Sequence, residues 1–257
     1  MTILDDILME KAKEVEVLKK FIRTNEQAKV FPKRSLFERF MSNDHVNIIA
    51  EIKRASPSKG IIHADVVPSE QAEKYQNHGA GAISVLTDEP FFKGTMDDLC
   101  EVRKKVDIPV LNKDFIIDEI QIDRAKSAGA DVILLIAAAL PAQRLQALFE
   151  YAKQADLEVL FEVHNEEELS VAQSIGASII GVNNRNLKTF NVDLTTTERL
   201  AQKMDITNIL LISESGIKTT ADVERVRKVG AKGILVGETM MRSQALDQTF
   251  AQFQIKL

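Results

Sequence analysis

The stretch Ile48-Ile49-Ala50-Glu51-Ile52-Lys53-Arg54-Ala55-Ser56-Pro57-Ser58-Lys59-Gly60 sets a carboxylate and an ammonium two residues apart in an apolar run that breaks into a basic, Ser/Pro/Gly turn. Apolar bulk ending at a turn signal reads as a buried strand, and residues two apart on a strand share a face, so Glu51 and Lys53 project together from its end. Charges in such a place are costly unless each has a partner, which fits groups used for chemistry or, more blandly, an ion pair closing the strand. Three later runs end the same way: Lys113 in Pro109-Val110-Leu111-Asn112-Lys113-Asp114-Phe115, Glu162 in Leu160-Phe161-Glu162-Val163-His164, and Glu214 in Leu211-Ile212-Ser213-Glu214-Ser215-Gly216-Ile217. A lysine there can donate a proton, or act as a Schiff-base nucleophile once burial or the neighbouring Lys53 cation lowers its pKa. A carboxylate there can serve as base or proton relay.

Two late runs end in glycine: Ser215-Gly216, before a helix expected to start near Thr219, and Val236-Gly237-Glu238. Glycines let backbone N–H groups approach a ligand closely and helix N-termini favour anions, so this pair predicts a phosphate cradle. Lys53, Ser56 and Lys59 can close over it from the first turn, and Glu238 must point its side chain away. Metal chemistry is not expected. His45, His63, His78 and His164 are scattered without paired spacing, and the candidate carboxylates alternate with lysines that would repel a divalent ion. No Walker loop or Gly-x-Gly-x-x-Gly signature is present, so no nucleotide cofactor is expected either.

The elements that must position these groups show in a weak internal repeat. Gly79-Ala80, Gly129-Ala130, Gly176-Ala177 and Gly230-Ala231 each follow an amphipathic segment and precede an apolar run, as a helix C-cap and a tight helix-to-strand turn would. Between them lie further apolar runs at 108–115, 157–163 and 209–213, which with Asn47 to Lys53 make eight strands alternating with helices. A closed barrel and an open doubly wound sheet both fit that count. Polar residues recurring at the strand ends favour a single (β/α)8 TIM barrel, where they converge on one mouth. The first 45 residues stand apart: Ile3, Leu4, Ile7 and Leu8 have helical spacing, and a second short helix is expected over Arg34 to Phe40. This predicts an N-terminal helical extension over 1–45, packed on the barrel or forming an oligomer contact, and a barrel over 46–257.

Composition sets the outer bounds. A chain of 257 residues with 45% hydrophobic and 28% charged residues is that of a soluble globular protein, and α/β barrels of this length are commonly one domain. A net charge of -5 without a basic, aromatic-laced run argues against nucleic acid. The lone Cys100 excludes a disulfide framework and is expected to be packed or half-buried. Neither a secretion signal nor a membrane-length apolar stretch appears, so a cytoplasmic protein is expected. A monomer is the expected state, with an oligomer left open.

The chain resembles the indole-3-glycerol phosphate synthase family of the tryptophan pathway through motifs in order along nearly its whole length. They are Ile49 to Gly60, Leu86-Thr87-Asp88 with Phe91-Phe92-Lys93-Gly94, Leu111 to Phe115, Glu162-Val163-His164, Gly181-Val182-Asn183-Asn184-Arg185-Asn186-Leu187, Ser213 to Ile217, and Val236-Gly237-Glu238. The resemblance implies closure and decarboxylation of 1-(2-carboxyphenylamino)-1-deoxyribulose 5-phosphate, a phosphorylated small molecule, to indole-3-glycerol phosphate. By this resemblance Lys113 is the general acid, Lys53 holds the substrate carboxylate, Glu162 is the base or relay oriented by Asn183, and Glu51 stabilises the cationic ring intermediate. It implies further that Glu214 and Arg185 line the polar side, that Phe92, Phe115, Leu134, Leu187 and Leu235 hold the aromatic ring, and that Ser56, Ser215, Gly216, Gly237 and the backbone of Glu238 bind phosphate. A sugar-phosphate isomerase or epimerase would share the glycine cradle without needing Lys53, Lys113, Glu162 and an aromatic pocket together. A non-catalytic barrel would bind a phosphorylated ligand without turnover.

Overall fold

Every expected apolar run is a strand in the structure, a computed structural model that describes residues 2–21 and 31–257. The strands are β1 (Asn47–Ile52), β2 (Ala82–Leu86), β3 (Val110–Lys113), β4 (Val132–Ile136), β5 (Glu158–Val163), β6 (Ile179–Asn183), β7 (Leu210–Glu214) and β8 (Gly233–Val236). All neighbours run parallel, and β1 pairs with both β2 and β8, so the sheet closes on itself. The expected (β/α)8 barrel is therefore the fold, and the open sheet is not. The Gly-Ala repeat does what its spacing suggested: Gly79, Gly129, Gly176 and Gly230 all take left-handed φ values between 80° and 96°, ending a helix just before a strand.

Side-chain alternation then sorts the strands into two layers. Ile49, Leu111, Leu134, Leu160, Ile179, Ile212 and Leu235 point into the barrel, whereas Ile48, Ala50, Val159, Phe161, Ile180 and Val182 pack under the helices. Continuing each inward row by one step of two brings Glu51, Lys113, Glu162, Gly181 and Glu214 to the C-terminal mouth. Register fixes their neighbours: Glu214 lies opposite both Asn183 and Leu235, and Glu162 lies opposite Gly181.

Among the described residues two helices precede the barrel, α1 (Ile3–Phe21) and α2 (Leu36–Met41). Met1 and residues 22–30 of the expected extension lie outside the described residues. α2 plugs the N-terminal end of the barrel with Leu36 and Phe40, both fully buried in the interior cluster. Its first turn is held by the Glu158 carboxylate, which accepts from the Leu36 N–H at 2.6 Å. Gly81 and Gly233 make room for the Phe40 ring, since a Cβ at either would come within 2.7 or 2.9 Å of it.

α1 lies instead at the C-terminal mouth. Its Lys11 is only 1% exposed, with Nζ 2.9 Å from Asp114, 3.0 Å from Asp88 and 2.7 Å from Glu14. Burial disfavours that ammonium, yet the Asp114 and Asp88 carboxylates outweigh it and hold its pKa above the usual lysine value. Asp88 also caps the helix Glu89–Phe92, and Asp114 accepts from the Thr87 hydroxyl at 2.6 Å, so the cation ties α1 to the ends of β2 and β3. No helix among the described residues is long and apolar enough to cross a membrane.

Lys11→Met would leave Asp88 buried without its cation and Asp114 with only Arg124 at 3.7 Å, a loss of about 3–5 kcal/mol by analogy with broken buried pairs. The urea midpoint should fall accordingly. An unchanged midpoint would show that α1 is held by other contacts.

Candidate active site at the barrel mouth

A cavity of about 820 Å³ opens at the C-terminal mouth, of the size that takes a small-molecule ligand. All the residues singled out above for chemistry and binding line it, from Glu51 and Lys53 on the first strand end to Leu235, Gly237 and Glu238 on the last. Lys113 stands at its floor. The Nζ lies 2.6 Å from Glu214 Oε2 and 3.1 Å from Glu162 Oε2, so one ammonium bridges carboxylates from β5 and β7. Asn183 Nδ2 donates to the other Glu162 oxygen at 3.0 Å, and Lys53 Nζ pairs with Glu51 Oε1 at 2.5 Å.

These contacts decide the charge states. Burial opposes the Lys113 charge, but Glu214, Glu162 and Glu51 outweigh it and hold its pKa above the ordinary lysine value. The fall in pKa that a Schiff-base nucleophile needs does not occur, because the nearest partners are carboxylates rather than Lys53. Burial, with Glu162 and Glu51 adding repulsion, pushes Glu214 up to about 7 despite Lys113. Glu162 is buried as deeply, yet Lys113, His164 and Asn183 keep its carboxyl well below the usual range. Two neighbouring carboxylates thus divide into one that stays ionised and one that takes a proton first.

Glycines give this layer its room. A Cβ on Gly181 would lie 2.0 Å from Glu214 Oε1, and one on Gly237 would lie 2.3 Å from Glu51 Oε1 and 2.8 Å from Lys53 Nζ. Gly237, singled out for phosphate, is therefore also required by the Glu51–Lys53 pair. Ser215 and Gly216 both take left-handed backbone, at φ 65° and 91°, turning the chain sharply at the rim. The helix after them, Thr220–Lys228, starts where expected, but Asp222 already accepts the N–H groups of Lys218 and Thr219 at 3.0 and 2.9 Å. Those donors are used, which narrows an anion cradle here to the Ser215-Gly216 and Gly237 turns. Glu238 points to Lys59 at 3.6 Å and to Arg242 at 3.3 Å, so its charge is met by cations.

Apolar side chains line the cavity as well. Phe92 and Phe115 have ring centroids 5.8 Å apart at 33°, and Leu134, Leu187 and Leu235 complete the surface. Arg185 sits at the rim, its guanidinium donating to the Phe190 carbonyl at 3.3 Å. The first turn forms a small antiparallel pair, Ala55–Ser56 with Gly60–Ile61, which places Ser56 and Lys59 at the mouth.

Some residues at the site were not foreseen. Ile3, Leu4 and Ile7 of α1 line the cavity, though their spacing had marked an apolar stripe. His164 lies 3.3 Å from Glu162 Oε1, and Asn184 donates to Ser213 Oγ and to the Glu214 carbonyl, both at 2.9 Å. Nothing in residue type or local spacing distinguishes that asparagine. Among the described residues no group of three or more His, Cys, Asp or Glu is arranged to hold a metal ion.

Comparison with known proteins places this geometry in a family. Two solved structures share the fold at low identity, which shows the fold alone. The N-acetylmannosamine-6-phosphate 2-epimerase from Clostridium perfringens matches with a TM-score of 0.64 at 15% identity, over 87% of this chain and 98% of that one. The thiamine phosphate pyrophosphorylase from Pyrococcus furiosus matches with a TM-score of 0.61 at 17% identity, over 85% and 96%. Sequence relatives run the full length. The indole-3-glycerol phosphate synthase of Oceanobacillus iheyensis is 52% identical, over 100% of this chain and 98% of that protein. That of Bacillus cereus is 48% identical, over 100% and 99%. The family model for indole-3-glycerol phosphate synthase matches residues 4–253, and the chain belongs to that family.

Proposed function

We infer that this protein is an indole-3-glycerol phosphate synthase, a carboxy-lyase that closes 1-(2-carboxyphenylamino)-1-deoxyribulose 5-phosphate to indole-3-glycerol phosphate with loss of CO2 and water. The Lys113 ammonium, held between Glu162 and Glu214 in a cavity that the Phe92–Phe115 pair also lines, carries the reading. The aromatic carbon bearing the carboxylate attacks the ribulose carbonyl, whose oxygen becomes an alkoxide and takes a proton from Lys113. A lysine kept charged by its neighbours is suited to that step, since it enters with the proton in place and the developing alkoxide is the stronger base.

The ring is then cationic. Glu51 offsets that charge, and Lys53 holds the substrate carboxylate until it leaves as CO2, its electron pair restoring the aromatic ring. Dehydration follows, in which the hydroxyl takes a proton from Lys53 and leaves as water while Glu162, held by Asn183, takes the ring proton. Ring closure needs a folded substrate, so much of the rate comes from holding it between Phe92, Phe115, Leu134, Leu187 and Leu235 on one side and the polar floor on the other. The phosphate is bound at Ser56, Ser215, Gly216 and Gly237, with the Glu238 side chain turned toward Lys59 and Arg242, and Arg185 and Glu214 line the polar side. In this reading the protein is a cytoplasmic monomer acting on a free substrate.

Lys113→Ala should lower kcat by about 100-fold or more, the usual range for losing a positioned acid, with a smaller change in KM and an intact circular dichroism spectrum. Near-normal turnover would remove Lys113 from the acid role. Inorganic phosphate should inhibit competitively with substrate, and Ser56→Ala should weaken that inhibition; noncompetitive inhibition would put the phosphate end elsewhere. Indole fluorescence should develop undiminished in a strong chelator, whereas loss restored by a divalent ion would overturn a mechanism built on lysines and carboxylates.

A further inference from the structure

His164 follows the end of β5 and is used by none of the steps above, yet its ring is clamped between two carboxylates. Nδ1 lies 3.0 Å from Glu168 Oε2, and Nε2 lies 3.3 Å from Glu162 Oε1, within ion-pairing distance but misaligned for a full hydrogen bond. Glu168 is in the first turn of the helix Glu166–Ile175, where Asn165 caps the helix by accepting from the Glu168 N–H at 2.9 Å, and Glu168 accepts from the His164 backbone N–H at 2.8 Å. That cap needs only the backbone of residue 164. The imidazole is surplus to it.

A neutral imidazole carries one N–H, so it would turn a lone pair toward one of the two anions, whereas an imidazolium meets both with positive charge. The charged groups acting on the ring are Glu162 on its own strand and Glu168 on the next helix; β6 presents the neutral Asn183, and the 3-10 turn Ala137–Ala139 adds no titratable group. Burial opposes the cation, but these two carboxylates raise the ring's pKa to about 10. Around Glu162 the result is an ordered shell. Lys113 holds Oε2, while Asn183 and His164 hold Oε1, so the carboxylate has one orientation and a cation at each oxygen.

We propose that His164 is a positioning residue for the reaction, an imidazolium that Glu168 holds in place and that fixes the orientation of the Glu162 carboxylate beside Lys113. The proposal rests on the assignment of Glu162 as the base. It makes the Glu168-His164-Glu162 line a support of the site rather than part of the helix cap.

The test joins spectroscopy to a mutant cycle. With histidine labelled by 15N in the full chain, one of the four histidines, assigned by its absence in His164→Ala, should stay doubly protonated through pH 8, where an ordinary histidine of pKa about 6.5 is neutral. Glu162→Gln and Glu168→Gln should each lower that titration. His164→Ala should reduce kcat by about 10- to 100-fold, the effect of misplacing a reacting group, with KM within about two-fold. His164→Gln, which returns an N–H near the Nε2 position without the charge, should recover part of the loss. On a Glu162→Gln background, His164→Ala should cost nothing further, because its effect passes through Glu162. Equal losses on both backgrounds, or a wild-type ring titrating near the ordinary value, would overturn the proposal. Should Glu162→Gln itself keep full turnover, the base assignment fails, while the ring titration still reports on the clamp. Should His164→Ala not fold, His164→Gln and the wild-type titration decide.

Discussion

The site depends on a balance of charge in one buried layer. Glu51, Glu162 and Glu214 face Lys53 and Lys113 at the top of a barrel whose lower interior is mostly apolar, where an unmatched charge would cost several kcal/mol. The carboxylates outnumber the lysines by one, and the layer meets the difference with a proton that Glu214 takes up near neutrality. Beyond Glu162, His164 is paired with Glu168 as well. Lys113 is therefore held charged, and Glu162 beside it is held ionised.

Such a layer stays in place only if its surroundings leave it no other arrangement. Gly181 and Gly237 are empty where a methyl group would overlap Glu214 or the Glu51–Lys53 pair. The ends of β6 and β7 are joined by Asn184, whose side chain meets the buried Ser213 and Thr197 hydroxyls and Glu214 carbonyl and the half-buried Ser215 carbonyl. Below, Phe40 closes the barrel; above, Lys11 ties α1 to Asp88 and Asp114, one residue beyond Lys113. The strands thus fix Glu51, Lys113, Glu162 and Glu214 in one layer.

The barrel was legible because period-two alternation and the Gly-Ala turns are local signals, read without knowing what lies opposite. The strand-end charges were legible for the same reason. Their partners were not. Lys113 meets Glu162 and Glu214 across separations of 49 and 101 residues, so its pKa rises where adjacency to Lys53 had suggested a fall. The capping of the helix after Gly216 was missed in another way, since Thr219 and Asp222 are spaced for a capping box and that signal could have been used. Lys11 had no signal at all, as a lysine in an amphipathic helix ordinarily faces water.

That buried lysine links the extension to the chemistry. Ile3, Leu4 and Ile7 reach the cavity from the same helix that Lys11 anchors, so the apolar wall is assembled partly from outside the barrel. A barrel mouth alone is open to water, which would weaken every ion pair on its floor by raising the local dielectric. Covering it with an apolar stripe strengthens those pairs, but only if the cover is held down, and an apolar contact by itself could slide. A single ammonium meeting two carboxylates at defined ends of β2 and β3 supplies the register that the apolar contacts lack, so the cover and Lys113 share one frame.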